Sequence, residues 1–399
     1  MSRPTLFTGG QVITGVHDEP LLDGAVLVDG TDIVAVGPAG SFTVPPDVDV
    51  LDCAGRTVLP GLVDCHEHLL GRSRYGEGTT EINESDATWG IVIAHYAQQC
   101  LAAGVTTVRV PGSHHGNDLA VRRAFDEGYL LGPRMICAGE ALTMTGGHGV
   151  GAGVEVDGPV ACARAARAQL GRGADFIKVM ASGGVGTVHP GEDPTHPELD
   201  VEELAAVVAV AESGRRYVAA HADGVEGIDN ALRAGVHCIE HGIYLTRSQA
   251  DEMAAHDVRL VPTLSTMVNI ARRGAEWGLP AEWLRIAEGI LDVHRQSFQH
   301  ALDAGVVFGT GTDGYGDIVD ELIEFTTFGL SPMRALQAAT RDAAQIASPG
   351  GRFGTLAPGF SADVLVVEGD PLTDLTRLRD VRAVMVGGRL VNSAGVPMT

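Results

Sequence analysis

Hydrophobic and polar positions follow two different patterns along the chain. In residues 5–58, short apolar runs alternate with polar positions and are separated by turn signals. The segment "AVLVDGTDIVAVG", broken at Asp-Gly, predicts a β-hairpin. The same pattern returns near the C-terminus in "ADVLVVEGDP" and "VRAVMVGGRLVNSAG". We therefore expect one small β domain built from both ends of the chain, residues 1–58 together with 353–399.

The middle of the chain, residues 59–352, has short runs that are apolar throughout, with helical patterns between them. The runs are "GLVDCHEH", "VTTVRV", "PRMICAG", "ADFIKVMA", "YVAAHA", "VHCIEHG", "VRLVPT" and "VVFGTGTD". Continuous apolar runs of this length are typical of parallel strands buried on both faces. Eight strands alternating with helices predict an α/β fold, a (β/α)8 TIM barrel. A doubly wound open sheet is the alternative, but no G-x-G-x-x-G motif follows the first strand.

Two of the helical patterns carry their own start signals. "DVEELAAVVAVAESG" begins with Asp200 as a candidate N-cap and has Glu203 at the capping-box position. "TRSQADEMAAH" begins with the similar pair Thr246 and Gln249. We expect a helix to begin after each cap residue.

Composition and charge limit the partners. The chain has 399 residues and a formal net charge of −23, so nucleic acid and anionic membranes would repel it. The N-terminal stretch lacks an apolar signal-peptide core, and no apolar run approaches the length of a membrane span. The six cysteines form no C-x-x-C pair. We expect a cytoplasmic protein with reduced thiols and a small-molecule substrate; a homo-oligomer is compatible with the sequence, which does not define the number of subunits.

Polar residues at the ends of the apolar runs are the candidate chemistry. In a barrel these ends meet at one face, where active sites lie. The residues are of types that bind zinc or manganese: His66, His68, Lys178, His221, His241 and Asp313. Residues two apart on a strand share a face, so His66 and His68 can reach one ion while Cys65 and Glu67 point away. H-x-H alone is a weak signal; the prediction depends on all six residues ending strands of one barrel.

Lys178 is the only lysine among 28 basic residues. A free ammonium would be repelled by metal ions, but a primary amine can add carbon dioxide to form an anionic carbamate with two oxygens. Arginine forms no such bridging carbamate. The position fits a bridge between two ions about 3.5–4 Å apart; a structural lysine extending from a strand end is the alternative interpretation.

The ordered motifs of the chain resemble the amidohydrolase superfamily, nearest its imidazolonepropionase-like and Xaa-Pro dipeptidase (prolidase-type) branch. They run from about residue 50 to 370 and include "VLPGLVDCHEH", "TMTGGHG", "GADFIKVMASGG", "VAAHADG", "CIEHGIYL", "PTLS", "GTGTDG" and "GTLAPGFSADVLVV". The resemblance implies a barrel beside a β-sandwich made from both termini. It also implies a binuclear metal centre, with zinc the first expectation and manganese, iron or cobalt suited to the same ligands.

The resemblance assigns roles to the candidate residues. It implies His66, His68 and Asp313 on one ion, His221 and His241 on the other, and Lys178, carboxylated by carbon dioxide, bridging the two. Asp313 would also transfer the proton of the attacking water to the leaving nitrogen.

Two further residues take roles from prolidase-like relatives. Tyr244 would polarise the substrate carbonyl, and His148 of the glycine-rich loop would hold the substrate. The last motif, "TDGYGDIVDE", departs from the branch pattern, in which "TDA" and often a further histidine occur. Five other residues lie where a pocket or carboxylate-binding role is open: Arg109, His114, His115, His189 and His196.

Three functions remain open from the sequence. The first is a binuclear metal hydrolase that cleaves an amide bond of an Xaa-Pro dipeptide or an N-acyl amino acid, or else a lactone or ester. The second is a one-metal hydrolase or deaminase of a cyclic amide or amidine, which works without a bridging lysine. The third is a non-catalytic scaffold, which the six filled ligand positions disfavour.

Overall fold

The computed structural model describes residues 3–70, 85–185 and 193–392. The strands are β1 (Thr5–Val12), β2 (Leu21–Asp29), β3 (Asp32–Pro38), β4 (Asp49–Asp52), β5 (Arg56–Pro60), β6 (Leu62–Asp64), β7 (Val105–Val110), β8 (Arg134–Cys137), β9 (Leu142–Thr143), β10 (Val154–Glu155), β11 (Ile177–Met180), β12 (Val218–Ala222), β13 (Cys238–His241), β14 (Arg259–Val261), β15 (Val364–Glu368), β16 (Val381–Val386) and β17 (Arg389–Asn392).

The α-helices are α1 (Asp86–Ala102), α2 (Asn117–Asp126), α3 (Pro159–Arg172), α4 (Val201–Ser213), α5 (Val225–Ala234), α6 (Arg247–Ala255), α7 (Leu264–Arg273), α8 (Ala281–Ala304), α9 (Ile318–Thr326), α10 (Pro332–Gln337) and α11 (Ala343–Ala347). A π-helical turn, Ala338–Asp342, joins the last two. Within the described ranges, no helix has the length and apolar character needed to cross a bilayer.

Strands from both ends of the chain form one eight-stranded sheet. Its order is β17-β16-β15-β5-β1-β2-β3, with β4 paired to β1. The hairpin predicted at Asp-Gly is confirmed, because Asp29 of β2 pairs with Asp32 of β3 across a two-residue turn. Gly30 in that turn has φ of 59°, a backbone conformation that glycine adopts without strain.

The middle of the chain forms two parallel sheets, β6-β7-β8 and β10-β9-β11-β12-β13-β14. Hydrogen bonds join their neighbouring edges: the amide of Asp175 donates to the carbonyl of Cys137 at 2.8 Å. At the other side Leu260 of β14 bridges to Phe308, and the amide of Cys65 donates to the carbonyl of Thr310 at 2.8 Å. The predicted two-sided burial is confirmed, because β7, β11, β12 and β13 are buried at every residue.

The helices start where their cap signals predict. Asp200 accepts a hydrogen bond from the amide of Glu203, and the Glu203 side chain accepts one from the amide of Asp200. Thr246 and Gln249 make the same reciprocal pair at the start of α6. These boxes satisfy amide groups that lack partners within the helix.

Strand β15 connects two hydrophobic cores. Val364 and Val366 pack in the core of the terminal sheet. Leu365 and Val367 pack in the larger core of the parallel strands and their helices. Because side chains alternate along a strand, a single apolar run contributes to both cores.

Candidate metal centre

One cavity, of about 100 Å3, brings the strand-end residues together. It is lined by His66, His68, His148, Lys178, Met180, Val185, His221, Asp223, His241, Met267, Asp313 and Tyr315. All six predicted metal ligands are in this set, and so is His148. They share the cavity because the parallel strands present their carboxyl ends at one edge.

The register of neighbouring strands places the ligand side chains. Lys178 and Met180 are two apart on β11, so they point to the same face, and both line the cavity. Met180 pairs with His221 of β12, and Ala222 at the end of β12 pairs with His241 of β13. Adjacent strands therefore deliver the lysine and the two histidines side by side.

The backbone is strained where several of these residues leave their strands. His241 has φ of 66°, Thr263 has φ of 48° and Asp313 has φ of 50°. Residues other than glycine rarely adopt this left-handed conformation, which costs of the order of 1–3 kcal/mol per residue and occurs often at functional sites. Two of these residues, His241 and Asp313, line the cavity, and the third, Thr263, contacts His241.

Asp313 lies against the two histidines of the H-x-H motif. Its Oδ1 is 3.4 Å from Nε2 of His66 and 3.4 Å from Nε2 of His68. Its amide donates to the carbonyl of His66 at 2.6 Å. His66, His241 and Asp313 each offer a ligand atom, and these three atoms lie within 4.8 Å of one another. One cation can be held by such a group.

Three of the four histidines predicted as metal ligands donate one ring N–H to an acceptor in the protein. His66 Nδ1 lies 2.7 Å from Oε2 of Glu240, and His68 Nδ1 lies 3.1 Å from the carbonyl of Gly112. His221 uses its other nitrogen, Nε2, at 3.0 Å from the carbonyl of Gly183. Because these partners only accept hydrogen bonds, the tautomers are defined: Nε2 of His66 and His68, and Nδ1 of His221, keep their lone pairs.

The fourth histidine contacts a hydroxyl group. Nδ1 of His241 lies 2.7 Å from Oγ1 of Thr263, the residue with the strained backbone at the start of α7. His241 Nε2 is left for the cavity. Partners of this kind orient a histidine that binds a metal ion.

Burial keeps the imidazoles neutral. Desolvation lowers the pKa of His68 to about 4 and holds the pKa values of His66, His221 and His241 well below their usual range. A neutral imidazole has the lone pair that a metal ion needs. Burial acts on the carboxyl of Asp313 in the opposite direction and raises its pKa well above the usual value.

Lys178 is a buried amine without a hydrogen-bond partner. Its side chain is 1% exposed, and within the described residues its Nζ makes no hydrogen bond. Desolvation lowers its pKa to about 8. An isolated buried ammonium is costly, so a site with this group favours either the neutral amine or its chemical modification.

The other sequence candidates lie in different places. Tyr244 does not line the cavity; it is half-buried and packs against the apolar cluster that includes Met267 and Tyr315. His114 stacks on Trp89 with ring centroids 4.5 Å apart, and His115 is exposed and pairs with Asp86.

The other two candidate histidines, His189 and His196, follow strand β11 in the sequence. His196 is exposed and outside the cavity lining. His189 lies outside the described residues.

Arg109 binds a carboxylate within its own chain. Its Nη2 donates to both carboxylate oxygens of Glu240, at 2.6 and 2.7 Å, and its side chain is fully buried. The sequence left open that Arg109 binds a carboxylate in the pocket; in the structure it is paired with Glu240 instead. Four further residues at the site had no role assigned from the sequence: Glu240, Thr263, Met267 and Tyr315. Glu240, Thr263 and Tyr315 lie in the quoted motifs "CIEHGIYL", "PTLS" and "TDGYGDIVDE", so their positions beside candidate ligands were the available signal.

A larger cavity, of about 740 Å3, lies on the other side of Thr312 and is lined by none of the predicted ligands. Its wall includes Asp64 and Glu67, whose carboxyl oxygens lie 2.6 and 2.8 Å from the hydroxyl of Thr312. Asp64 also accepts from the amide of His66 at 3.0 Å, and burial raises its pKa to about 7. These contacts hold the backbone of the H-x-H segment on the side away from the metal-ligand cavity.

Known hydrolases resemble the chain in both sequence and structure. The family model described as Amidohydrolase family matches residues 57–391. An ochratoxinase from Aspergillus niger is 29% identical over 429 residues, covering 99% of this chain and 88% of the relative. The crystal structure of that ochratoxinase has a TM-score of 0.88 at 28% identity, covering 99% of this chain and 97% of the other.

Two solved prolidase-type structures are equally similar. A prolidase complexed with N-methylphosphonate-L-proline is 31% identical, with a TM-score of 0.88 over 98% of this chain and 100% of the other. An Xaa-Pro dipeptidase with bound methionine in the active site is 28% identical, with a TM-score of 0.87 over 98% and 100%. Since the family match spans most of the sequence, the chain belongs to the amidohydrolase family and is a hydrolase that acts on amide bonds.

Proposed function

We propose that the protein is a binuclear metal hydrolase that cleaves the amide bond of an Xaa-Pro dipeptide or an N-acyl amino acid. The observation that carries the proposal is the convergence on one cavity of four neutral histidines, one aspartate and a buried amine that has no hydrogen-bond partner among the described residues. The parallel strands of residues 59–352 would close into the (β/α)8 barrel that the sequence predicts, with the bridge at Phe308 in place of a last strand, beside a β-sandwich of residues 1–58 and 353–399. The hydrogen bonds from Cys65 to Thr310 and from Asp175 to Cys137 support that closure.

The donor set fits two divalent ions. His66, His68 and Asp313 would hold one, and His221 and His241 would hold the other, because their free ring nitrogens face the same cavity. Imidazole and carboxylate ligands suit zinc first, and manganese, iron or cobalt also. When bound, two such ions lower the pKa of water and polarise a carbonyl group.

Lys178 would bridge the pair as a carbamate. Its neutral amine adds to carbon dioxide, a C–N bond forms, and one proton is released to solvent. The lowered pKa, about 8, supports this, because roughly a tenth of the amine is unprotonated at pH 7, far more than for an ordinary lysine. The product is an anion at a position where an uncharged or cationic amine has no hydrogen-bond partner among the described residues.

Asp313 would move the proton during hydrolysis. Its carboxylate lies at the cavity edge beside His66 and His68, so it can take a proton from the attacking water and deliver it to the leaving nitrogen. His148 would hold the substrate; its position in the lining of the same cavity, stacked on His221 with ring centroids 4.2 Å apart, supports this role. Tyr244, packed beside the cavity wall, would reach the carbonyl only when substrate is bound.

The substrate class follows from the walls and from the relatives. Met180, Val185, Met267 and Tyr315 give the cavity an apolar side suited to a hydrophobic acyl group or side chain. The ochratoxinase and the prolidase carrying a proline phosphonate are similar over nearly the whole chain.

The unpaired cysteines among the described residues support the cytoplasmic location expected from the sequence.

A one-metal hydrolase or deaminase of a cyclic amide or amidine is the second candidate. The compact group of His66, His241 and Asp313 favours it, because these three residues alone can surround one ion. This candidate leaves Lys178 without a role.

A substrate screen tests the proposal. The enzyme, loaded with zinc and bicarbonate, is assayed on Xaa-Pro dipeptides, N-acyl amino acids, lactones, esters and cyclic amides, with the Asp313→Asn variant as the control for contaminating activity. We expect cleavage of dipeptides or N-acyl amino acids that the variant lacks. Cleavage confined to cyclic amides or amidines, or to lactones and esters, would refute the proposed substrate class.

A further inference from the structure

A fully buried ion pair lies directly beneath the cavity. Arg109 of β7 and Glu240 of β13 both have 0% side-chain exposure. Nη2 of Arg109 donates to both carboxylate oxygens, at 2.6 and 2.7 Å. Burying two charges is costly, and replacing such a pair with apolar residues is often neutral or stabilising. Stability alone therefore gives no reason for a charged pair at this position.

The pair contacts the candidate site at two points. Oε2 of Glu240 accepts the Nδ1–H of His66 at 2.7 Å. Nε of Arg109 donates to the carbonyl of Cys65, the residue before His66. The pair thus holds His66 both by its ring and by the preceding peptide group.

His66 differs from the other candidate ligands in its partner. His68 and His221 donate to backbone carbonyls, and His241 contacts a hydroxyl group. Within the described part of the chain, His66 is the one histidine of the four whose second nitrogen makes its hydrogen bond to a carboxylate, at 2.7 Å. Oδ2 of Asp223 lies farther, 3.4 Å, from Nε2 of His221, which donates to a backbone carbonyl instead. A carboxylate partner fixes the tautomer and makes the imidazole a stronger donor to a metal ion.

We propose that Arg109 and Glu240 are positioning residues for His66. Glu240 holds the Nδ1–H tautomer, so the Nε2 lone pair points to the cavity, where Oδ1 of Asp313 lies 3.4 Å away. Arg109 neutralises the carboxylate and fixes its plane. This inference rests on the metal centre proposed above and adds that the ion held by His66, His68 and Asp313 depends on the buried pair, whereas the ion held by His221 and His241 does not.

The test compares zinc binding in the wild type and in Glu240→Gln. A glutamine has one acceptor oxygen instead of two and no charge, and with that oxygen turned to His66 its NH2 faces the guanidinium of Arg109. The matched control is Asp363→Asn, which alters another buried carboxylate paired with an arginine, Arg134, outside the cavity. The two zinc affinities are measured by competition with a chelating dye, and the His66 tautomer by 15N NMR of the metal-free protein.

We expect Glu240→Gln to weaken one of the two zinc sites by about 10- to 100-fold and to give a mixture of His66 tautomers. The control keeps both affinities. If Glu240→Gln fails to fold, the double variant Arg109→Met with Glu240→Leu replaces the pair by apolar residues and is expected to show the same selective loss.

Three outcomes would overturn the inference or its basis. Unchanged affinities with a single His66 tautomer would refute the positioning role. An equal loss at both sites, matched by Asp363→Asn, would show general destabilisation and refute it as well. A wild type that binds fewer than two zinc ions would instead refute the metal centre itself, which keeps the two failures apart.

Discussion

Lys178 shows most clearly what the site requires of single residues. Its amine is buried among neutral imidazoles, and its Nζ has no hydrogen-bond partner within the described residues. Burial lowers its pKa from 10.5 to about 8 because the ammonium form loses its hydration. The metal-free fold therefore carries a penalty at neutral pH, which deprotonation or carboxylation of the amine would remove.

That penalty predicts a pH-dependent stability difference between the metal-free wild type and Lys178→Met. Between pH 8 and 10.5 the unfolded chain binds a proton that the folded chain has released, so wild-type stability rises with pH in this window. Below pH 8 the variant should be more stable by roughly 3 kcal/mol, and the gap should close towards pH 10.5. Denaturant unfolding across this pH range measures it. A gap that is independent of pH would show that the lysine is not desolvated.

Asp313→Asn tests the proton transfer. The amide cannot accept the proton of water, so we expect hydrolysis to fall by about 10²- to 10⁴-fold. The fold should persist, because the variant removes a carboxyl whose pKa burial has already raised. Steady-state kcat and circular dichroism measure the two effects. A variant that keeps the wild-type kcat would remove Asp313 from the mechanism.

Sequence reasoning reached the polar strand-end residues that line the cavity, but it missed the lining residues Met267 and Tyr315 and the hydrogen-bond partners of the histidines. Strand ends of a parallel sheet converge, so polar residues at those ends could be predicted to meet. The contact with Glu240 could not be predicted in this way. Side chains alternate along β13, so Glu240 and His241, which are neighbours in sequence, are expected to point to opposite sides of the strand. The left-handed backbone of His241 breaks that alternation, and Glu240 reaches His66.

At the scale of elements, helix α7 shows how a helix start supports the site. The carboxylate of Glu321 accepts from the amides of Leu264 and Ser265, at 3.0 and 2.7 Å. Burial raises the pKa of Glu321 to about 8. The turn that it holds begins at Thr263, which contacts His241. The caps of α4 and α6 were predictable as local motifs, whereas this cap comes from a residue 56 positions away from Ser265.

Glu321→Ala should therefore affect both stability and the site. Two buried amides at the helix start lose their acceptor, which we expect to cost about 2 kcal/mol or more and to weaken zinc binding through His241. Ser331→Ala removes a cap at α10, a helix with no residue in the cavity lining, and is the control. It should cost about 1 kcal/mol and leave zinc affinity unchanged. Equal zinc affinities in both variants would contradict the link from α7 to His241.

At the scale of the whole molecule, strand β15 of the terminal sheet packs its side chains into both hydrophobic cores. The α/β class was predictable from the change between alternating and continuous apolar runs. The packing of Leu365 in the larger core was not predictable from the sequence, because it depends on which face of a C-terminal strand meets the middle of the chain. A Cβ atom at Gly104 would approach within 2.8 Å of the Leu365 side chain, so the packing there is close.

Leu365→Ala should destabilise the whole molecule. The fully buried side chain leaves a cavity in the larger core, with an expected loss of about 2–5 kcal/mol. We expect one cooperative thermal transition at a lower midpoint, because strand β15 packs in both cores and so couples their unfolding. Calorimetry that resolves two transitions, with only one shifted, would show that the cores unfold independently.

The number of metal ions per chain tests the central claim most directly. Elemental analysis is made on the wild type and on Lys178→Ala, both produced with zinc and bicarbonate. We predict two ions per wild-type chain and fewer in the variant, because the carbamate would bridge the pair. One ion per chain, unchanged by the substitution, would contradict the binuclear site and leave Lys178 a structural residue.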